Sequence, residues 1–456
     1  ATAASSMSCE PHTSALGARR RAWACSGLTA PMGPGSLRAA VLALTFSGVG
    51  CGMLGLPWSF AALGWAGGSI VMVICALLAA TSLQMLAEVR ELTQVSSYAG
   101  AVEQSFGTGC GVVLALLIAV ANLGAACAAV HFASDFEGSL LQAFLGKAGG
   151  PKHAAGDAIC RFAFLVALCI LTWAEGITRW RHLSSLSVLV LLYIIAVVVS
   201  EAVFGPDLAD AACTRLGADT VEAFRWPGPG VACQAVAVIC LSFSCHFNLF
   251  PVLEVLDNPH SARAAAVCSA SIGFMFAFFA AVALAGYAVW RQALLRGSMQ
   301  GDVLGCWGHA DMPVAVARAL LIGVLALHAA LLLHATRDNL LRVMLFSLPN
   351  GCNSALFSSR DSTPLSIRDV KPWAYHAATA AMLALVFLLF NASVISILGL
   401  AGGVGSVSTM FVFPAALFIR ESGAPFAATR LAAITGFAAV SVVGAVSAVQ
   451  SLVPSS

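Results

Sequence analysis

Charge is what this chain has least of. Asp, Glu, Lys and Arg make up 10% of its 456 residues, and the formal net charge is only +2. A nucleic-acid surface needs clustered basic residues to neutralise phosphates, so this composition excludes nucleic acid as the main partner. Metal-ligand spacing is missing as well. The fifteen cysteines are scattered, most of them inside apolar runs where they act as small hydrophobes, and no C-x-x-C pair or Cys/His cluster stands out. No metal site and no cofactor is expected. An enzyme is the reading with least support, because no His/Asp/Ser or metal constellation lies within the apolar runs.

What the chain has in excess is apolar residues, 59% of the total, with a mean hydropathy of +0.90. That composition describes an all-α polytopic membrane protein whose main partner is the lipid bilayer. Eleven apolar runs follow one another, at about 37–63, 69–87, 111–133, 159–174, 184–204, 231–256, 264–290, 313–335, 373–390, 394–419 and 430–450. Ahead of them, residues 1–36 are rich in Ala, Ser, Gly and Arg with Glu10 as their only acid, and read as a disordered cytoplasmic tail rather than an organelle-targeting segment. Residues 37–450 form the membrane domain.

The first run is the informative one. Its roughly 27 residues exceed the ~20 a spanning helix needs. Gly48, Gly50, Gly52, Gly55 and Pro57 crowd its middle. Glycine disfavours helix and proline has no N–H to donate, so the helix should break there. In lipid a broken backbone is tolerated only where protein or a water-filled cavity covers it. The sixth run repeats the design, with Ser242, Phe243, Ser244, Cys245, His246 and Asn248 at its centre and Pro251 after them. Interrupted helices five apart point to an inverted repeat with its site at midplane. The halves would be about 37–204 and 231–420, with the eleventh helix, 430–450, outside them.

Lys and Arg set the orientation. With the N-terminus inside, fifteen of the 23 fall on the cytoplasmic side and eight on the other, and both Arg337 and Arg318 are counted as loop residues. This topology puts Cys213 and Cys306 in long outer loops, where a disulfide between them is expected, with Cys160 as the rival partner.

Gly50-Cys51-Gly52-Met53-Leu54-Gly55-Leu56-Pro57-Trp58-Ser59-Phe60, followed by Gly64-Trp65, resembles the first-helix signature of the amino acid/auxin permease family, within the amino acid–polyamine–organocation superfamily. Phe243-Ser244-Cys245-His246, Leu253-Glu254, Asn258-Pro259, Arg337 with Leu340 and Leu341, and Phe413-Pro414-Ala415-Ala416 are similar to later motifs of the same family. The resemblance runs over about 37–450. It implies a LeuT-like fold of eleven helices in a 5+5 inverted repeat, and secondary transport of amino acids driven by H⁺ or Na⁺, at the plasma membrane or a vacuolar or lysosomal one.

Residues can then be given roles, each beside a plainer one. Gly50, Cys51 and Gly52 would offer N–H groups to a substrate carboxylate at a positive helix end, with Ser47 and Gly48 facing the same space. Alternatively, these glycines only let helices pack closely. Ser242, Phe243, Ser244 and Cys245 would face the cavity from the sixth helix, or the two serines would bond back to their own helix. His246 is an intramembrane ionisable residue and a candidate for proton coupling, or it fixes the unwound turn. His328 in the eighth run and Asn122 in the third line the cavity or are satisfied core residues.

Na⁺-coupled relatives commonly have Asn where Phe46 stands and a Ser or Thr in the eighth helix. Here 318–335 contains neither, and the matching positions are Ala326 and His328. That favours proton coupling or ion-independent exchange, with His246 and His328 as protonation sites. A neutral amino acid is the default substrate, since no charged residue lies near the proposed pocket. A Na⁺ symporter and a membrane sensor that binds amino acid but transports little are the alternatives.

Overall fold

The structure, a computed structural model, describes residues 35–145, 154–173, 181–204, 220–296, 302–308, 311–347, 371–389, 393–422 and parts of 434–447. Every regular element among the described residues is helical. Helix satisfies each backbone N–H and C=O within its own segment, which a chain this apolar requires in lipid. Seven helices are long and apolar enough to cross a membrane, or eight if one bent pair counts as a single span. Exposed apolar side chains such as Leu77, Ile159, Phe162, Ile170, Leu189 and Val203 lie around the outside of the bundle. Lipid is the solvent that suits them, and the chain is a multi-pass integral membrane protein.

Helix α1 (Leu37–Gly48) starts where the Ser36 hydroxyl accepts the Ala39 N–H at 3.3 Å, and it stops at Val49, whose backbone is extended. Helix α2 (Gly52–Leu63) resumes at an angle of 61° to it. Next come α3 (Trp65–Thr93), α4 (Tyr98–Phe106), α5 (Thr108–Leu145), α6 (Ala154–Trp173) and α7 (Arg181–Phe204). The second broken span is α8 (Pro229–Ser242), a 3₁₀ turn at His246–Asn248, and α9 (Leu249–Val255). Helices α10 (Ser261–Trp290), α11 (Met312–Ser347) and α12 (Pro372–Leu388) follow. The last span is α13 (Val394–Leu400), π-helical backbone over Ala401–Ser406 and Ser408–Val412, and α14 (Phe413–Glu421).

Long α5 and α11 pack along each other and form the spine of the bundle, while α2 lies against α8 and α10. The π-helical stretch presses on α5 and α8. Gly402 lies so close to the Ala237 carbonyl of α8, and Gly405 to the backbone of Ala121, that a Cβ at either would overlap its neighbour.

Two polar stretches that read as loops are helical. Helix α3 runs through Glu88, Arg90 and Glu91 to Thr93, and Glu103 and Gln104 belong to α4. Helix α11 continues past Ala335 to Ser347, so Arg337 is inside a helix and only 1% exposed. Its guanidinium donates to the Thr172 carbonyl and to Thr379 Oγ1, and also contacts His334 Nδ1 and the Tyr375 hydroxyl. Arg318 is buried at the start of the same helix. Neither is a loop cation.

Cys306 is disulfide-bonded and Cys160 keeps its thiol. Cys213 lies outside the described residues, as do residues 1–34 and much of the last apolar run.

Candidate functional site

The two backbone breaks meet. Between them is a cavity with about 340 Å³ of empty space including its mouth, lined by Ser47, Gly48, Gly50, Cys51 and Gly52 of the first break, Leu241, Ser244 and Phe247 of the second, Ala121, Asn122 and Ala125 of α5, and His328 and Leu332 of α11. The break leaves donors without helical partners. The N–H groups of Val49, Met53 and Leu54 bond back to Thr45, Gly50 and Cys51. Among the described residues no backbone carbonyl accepts those of Gly50, Cys51 and Gly52. Cys51 is the residue before α2 and Gly52 its first, so these groups lie at the helix's N-terminal end, where the aligned peptide dipoles leave partial positive charge.

Side chains brace this opening. The Cys51 thiol bonds the Ala125 carbonyl of α5 at 3.2 Å, fixing the start of α2 against the middle of that helix. His328 closes the other side. Its ring meets Phe46 edge-to-face at 6.2 Å, and a Cβ at Gly50 would overlap the imidazole. Glycine at 50 is thus what allows His328 to lie over the break. Ser47 Oγ is engaged with the Leu44 carbonyl at 2.8 Å, so it presents a committed hydroxyl. Asn122 is 2% exposed, and its Nδ2 has no partner. Thr45 Oγ1, just before the break, is likewise buried and unpartnered. Buried donors of this kind normally find an acceptor, so both mark a place for a polar ligand or water.

Of the residues singled out on the sixth run, Ser244 reaches the cavity, and Ser242, Phe243, Cys245 and His246 are not among its lining residues. Ser242 bonds back to the Val238 carbonyl at 3.0 Å and abuts Gly52, where a Cβ would come within 2.8 Å of its Oγ. Phe243 meets Phe279 of α10 edge-to-face at 5.2 Å. Cys245 is packed beside Gly48. His246, fully buried, bonds Ser82 Oγ of α3 through Nε2 at 2.7 Å, and its Nδ1 has no partner.

Ala121, Ala125, Leu241, Phe247 and Leu332 carry no sequence signal for the cavity. An apolar residue in an apolar run looks the same whether it faces lipid, core or ligand. Among the described residues no group of His, Cys, Asp and Glu is arranged to hold a metal ion.

A helical membrane protein whose two broken spans enclose a cavity, with uncapped N–H groups on one wall, has the layout of a small-molecule carrier. Comparison with known proteins gives the family. The chain matches the model for transmembrane amino acid transporter proteins over residues 33–453, and belongs to that family. It is 25% identical to sodium-coupled neutral amino acid transporter 7 of Rattus norvegicus over 305 residues, 65% of this chain and 61% of that protein. It is 26% identical to the Xenopus laevis protein of the same name over 302 residues, 65% of this chain and 62% of that one. With amino acid transporter AVT6E of Arabidopsis thaliana the identity is 24% over 400 residues, 84% of this chain and 75% of the relative. The match thus spans about six-tenths of the length of the two vertebrate relatives. Family and relatives are transporters, not enzymes.

Proposed function

We propose that this protein is a secondary active transporter of neutral amino acids that works by alternating access. The observation that carries the reading is the cavity at the meeting of the two breaks, with N–H groups of Gly50, Cys51 and Gly52 left without backbone acceptors. Those groups bind the substrate carboxylate. Ser47, Gly48, Ser244 and Asn122 line the rest of the polar wall, and no Asp, Glu, Lys or Arg lines the cavity to suit a charged side chain. Ser242, Phe243 and Cys245 shape the second break, and His246 pins it to α3 through Ser82.

The architecture proposed with it is LeuT-like, two inverted halves of five helices, 37–204 and 231–420, followed by an eleventh. Seven long helices and the bent pair support that reading, with shorter apolar helices at Ile159–Trp173 and Pro372–Leu388 as further candidates. The N-terminus is cytoplasmic in this reading, and the membrane is the plasma membrane or a vacuolar or lysosomal one.

Proton coupling is the favoured drive, with His328 as the protonation site. It touches the first break and lines the cavity, whereas His246 lies off it. The side chains of Ala326 and Phe46 supply no oxygen for sodium. Sodium coupling is the second reading, favoured by the vertebrate relatives' names.

Uptake of radiolabelled neutral amino acids into proteoliposomes, under a pH gradient and then a Na⁺ gradient, separates the two. Uptake should follow the pH gradient, be lost in Gly50→Leu, and lose its pH drive in His328→Gln. Uptake that collapses without Na⁺ at constant pH overturns proton coupling. Binding without accumulation under either gradient overturns transport in favour of a sensor.

A further inference from the structure

The segment 302–308 joins α10 to α11, and all seven of its residues are buried. Connecting segments normally run over a surface, because their backbone polar groups need water. Here other partners replace it. Arg318 of α11 donates to the Leu304 carbonyl at 2.7 Å, the Trp307 carbonyl at 2.8 Å and the Gly308 carbonyl at 3.3 Å. Trp307 meets Trp290 edge-to-face at 5.3 Å. Val303 and Pro57 of α2 crowd the same face of Gly286 on α10, each 2.8 Å from where a Cβ there would be. The segment therefore lies beside Pro57, in the middle of the half-helix α2, whose first residue lines the cavity.

One residue fits this seat poorly. Asp302 is 1% exposed, and although the Leu304 and Gly305 amides lie near its carboxylate, neither oxygen closes a well-formed hydrogen bond. Among the described residues the cation that acts on it is Arg318, whose donors are on the segment's carbonyls instead. A buried carboxylate held only by such loose amide contacts is expensive when ionised and far less so when protonated.

We propose that Asp302 is a proton-operated latch: protonated, it lets segment 302–308 stay seated over α2, and ionised, it drives the segment out. The latch does not depend on the transport reading, although in a transporter it would govern access from that end of the bundle. Burial raises the Asp302 pKa from 3.8 to about 6, against the opposing pull of the nearby Gly305 and Leu304 amides and of Arg318. The other charged and titratable groups on elements around the segment are Asp311, Arg291, Arg296, Tyr287 and Glu222, with His131, Asp135 and Glu137 on α5. Among the described residues Arg318 is the charge that acts on Asp302, and α2 brings none. Because the seated form holds its proton more tightly, seating is fully favoured below about pH 4. It weakens as the pH rises from about 4 to about 6, and is level above that.

Hydrogen–deuterium exchange on the full chain in lipid nanodiscs tests this, followed from pH 4 to 7 and corrected for the intrinsic pH dependence of exchange. Protection of 302–308 should fall across that window by up to about a hundredfold, the factor that a shift of about two pKa units sets as the limit. Asp302→Asn should stay protected at every pH, and Asp302→Glu should still titrate. Flat protection in the unaltered protein overturns the proposal, and that curve decides even if a variant fails to fold. A titrating Asp302→Asn overturns it too.

Discussion

His328 and His246 are two buried imidazoles with different surroundings. His328 borders the cavity and rests on Phe46 and Gly50, so the packing tolerates nothing larger than hydrogen at residue 50. Gly50→Ala should therefore displace the ring and distort the N–H groups beside it. We expect amino acid binding to weaken at least about tenfold, or ~1.4 kcal/mol, by scintillation proximity assay, while the protein still elutes as a monodisperse peak. His246 instead holds elements together. Ser82→Ala removes the acceptor or donor for its Nε2 and should cost about 1 kcal/mol of stability, within the range of interhelical hydrogen bonds in membranes. A thermal-unfolding series would show it, and binding should change less than in Gly50→Ala. Both histidines stood out in the sequence because ionisable residues are rare at that depth. Which one borders the cavity depended on Gly50 and Ser82, residues distant in the chain that no local pattern links to either imidazole.

Among the elements, α4 shows where reading from sequence stops short. The breaks at Gly50 and at Phe243–Cys245 were legible because glycine, proline and clustered polar residues interrupt apolar runs for stated physical reasons. A nine-residue helix among polar residues has no such mark, and 98–106 falls outside every apolar run. Yet α4 joins several spans. Tyr98 is stacked on Phe250 of α9 at 6.0 Å and donates to the Thr409 carbonyl in the π-helical stretch at 2.8 Å. Glu103 pairs with Arg342 of α11 at 3.5 Å, and Ser105 donates to Glu421 of α14 at 2.7 Å. In π-helical register the donor due to the Thr409 carbonyl is residue 414, a proline without an N–H, so the carbonyl is open to the phenol. Tyr98→Phe should thus lose about 1 kcal/mol by removing that bond while keeping the ring contact. Tyr98→Ala should lose about 3–5 kcal/mol, in line with truncation of a buried aromatic. Denaturant unfolding of the two variants tests the pair. Equal losses would mean that the hydroxyl, not the ring, holds α4 in place.

On the scale of the whole molecule, the orientation was drawn from loop cations, and two of those proved to be internal. Removing buried Arg337 from one side and buried Arg318 from the other turns fifteen against eight into fourteen against seven. The bias survives because the losses fall on both sides. Two cysteines turn it into a prediction. Cys110 is exposed at the start of α5, on the same end as α4, and Cys306 is disulfide-bonded at the opposite end. With the N-terminus cytoplasmic, a membrane-impermeant maleimide applied to intact cells or right-side-out vesicles should leave Cys110 unlabelled, and should label it once the vesicles are inverted. Cys306 is buried in its seat. It should react only after reduction, and mass spectrometry of the unreduced digest should recover its peptide joined to that of Cys213. Labelling of Cys110 from the outside would reverse the topology and, with it, the side on which the Asp302 latch meets its protons. The same result would leave the cavity and its two breaks as they are, because their geometry does not depend on which face of the membrane each end meets.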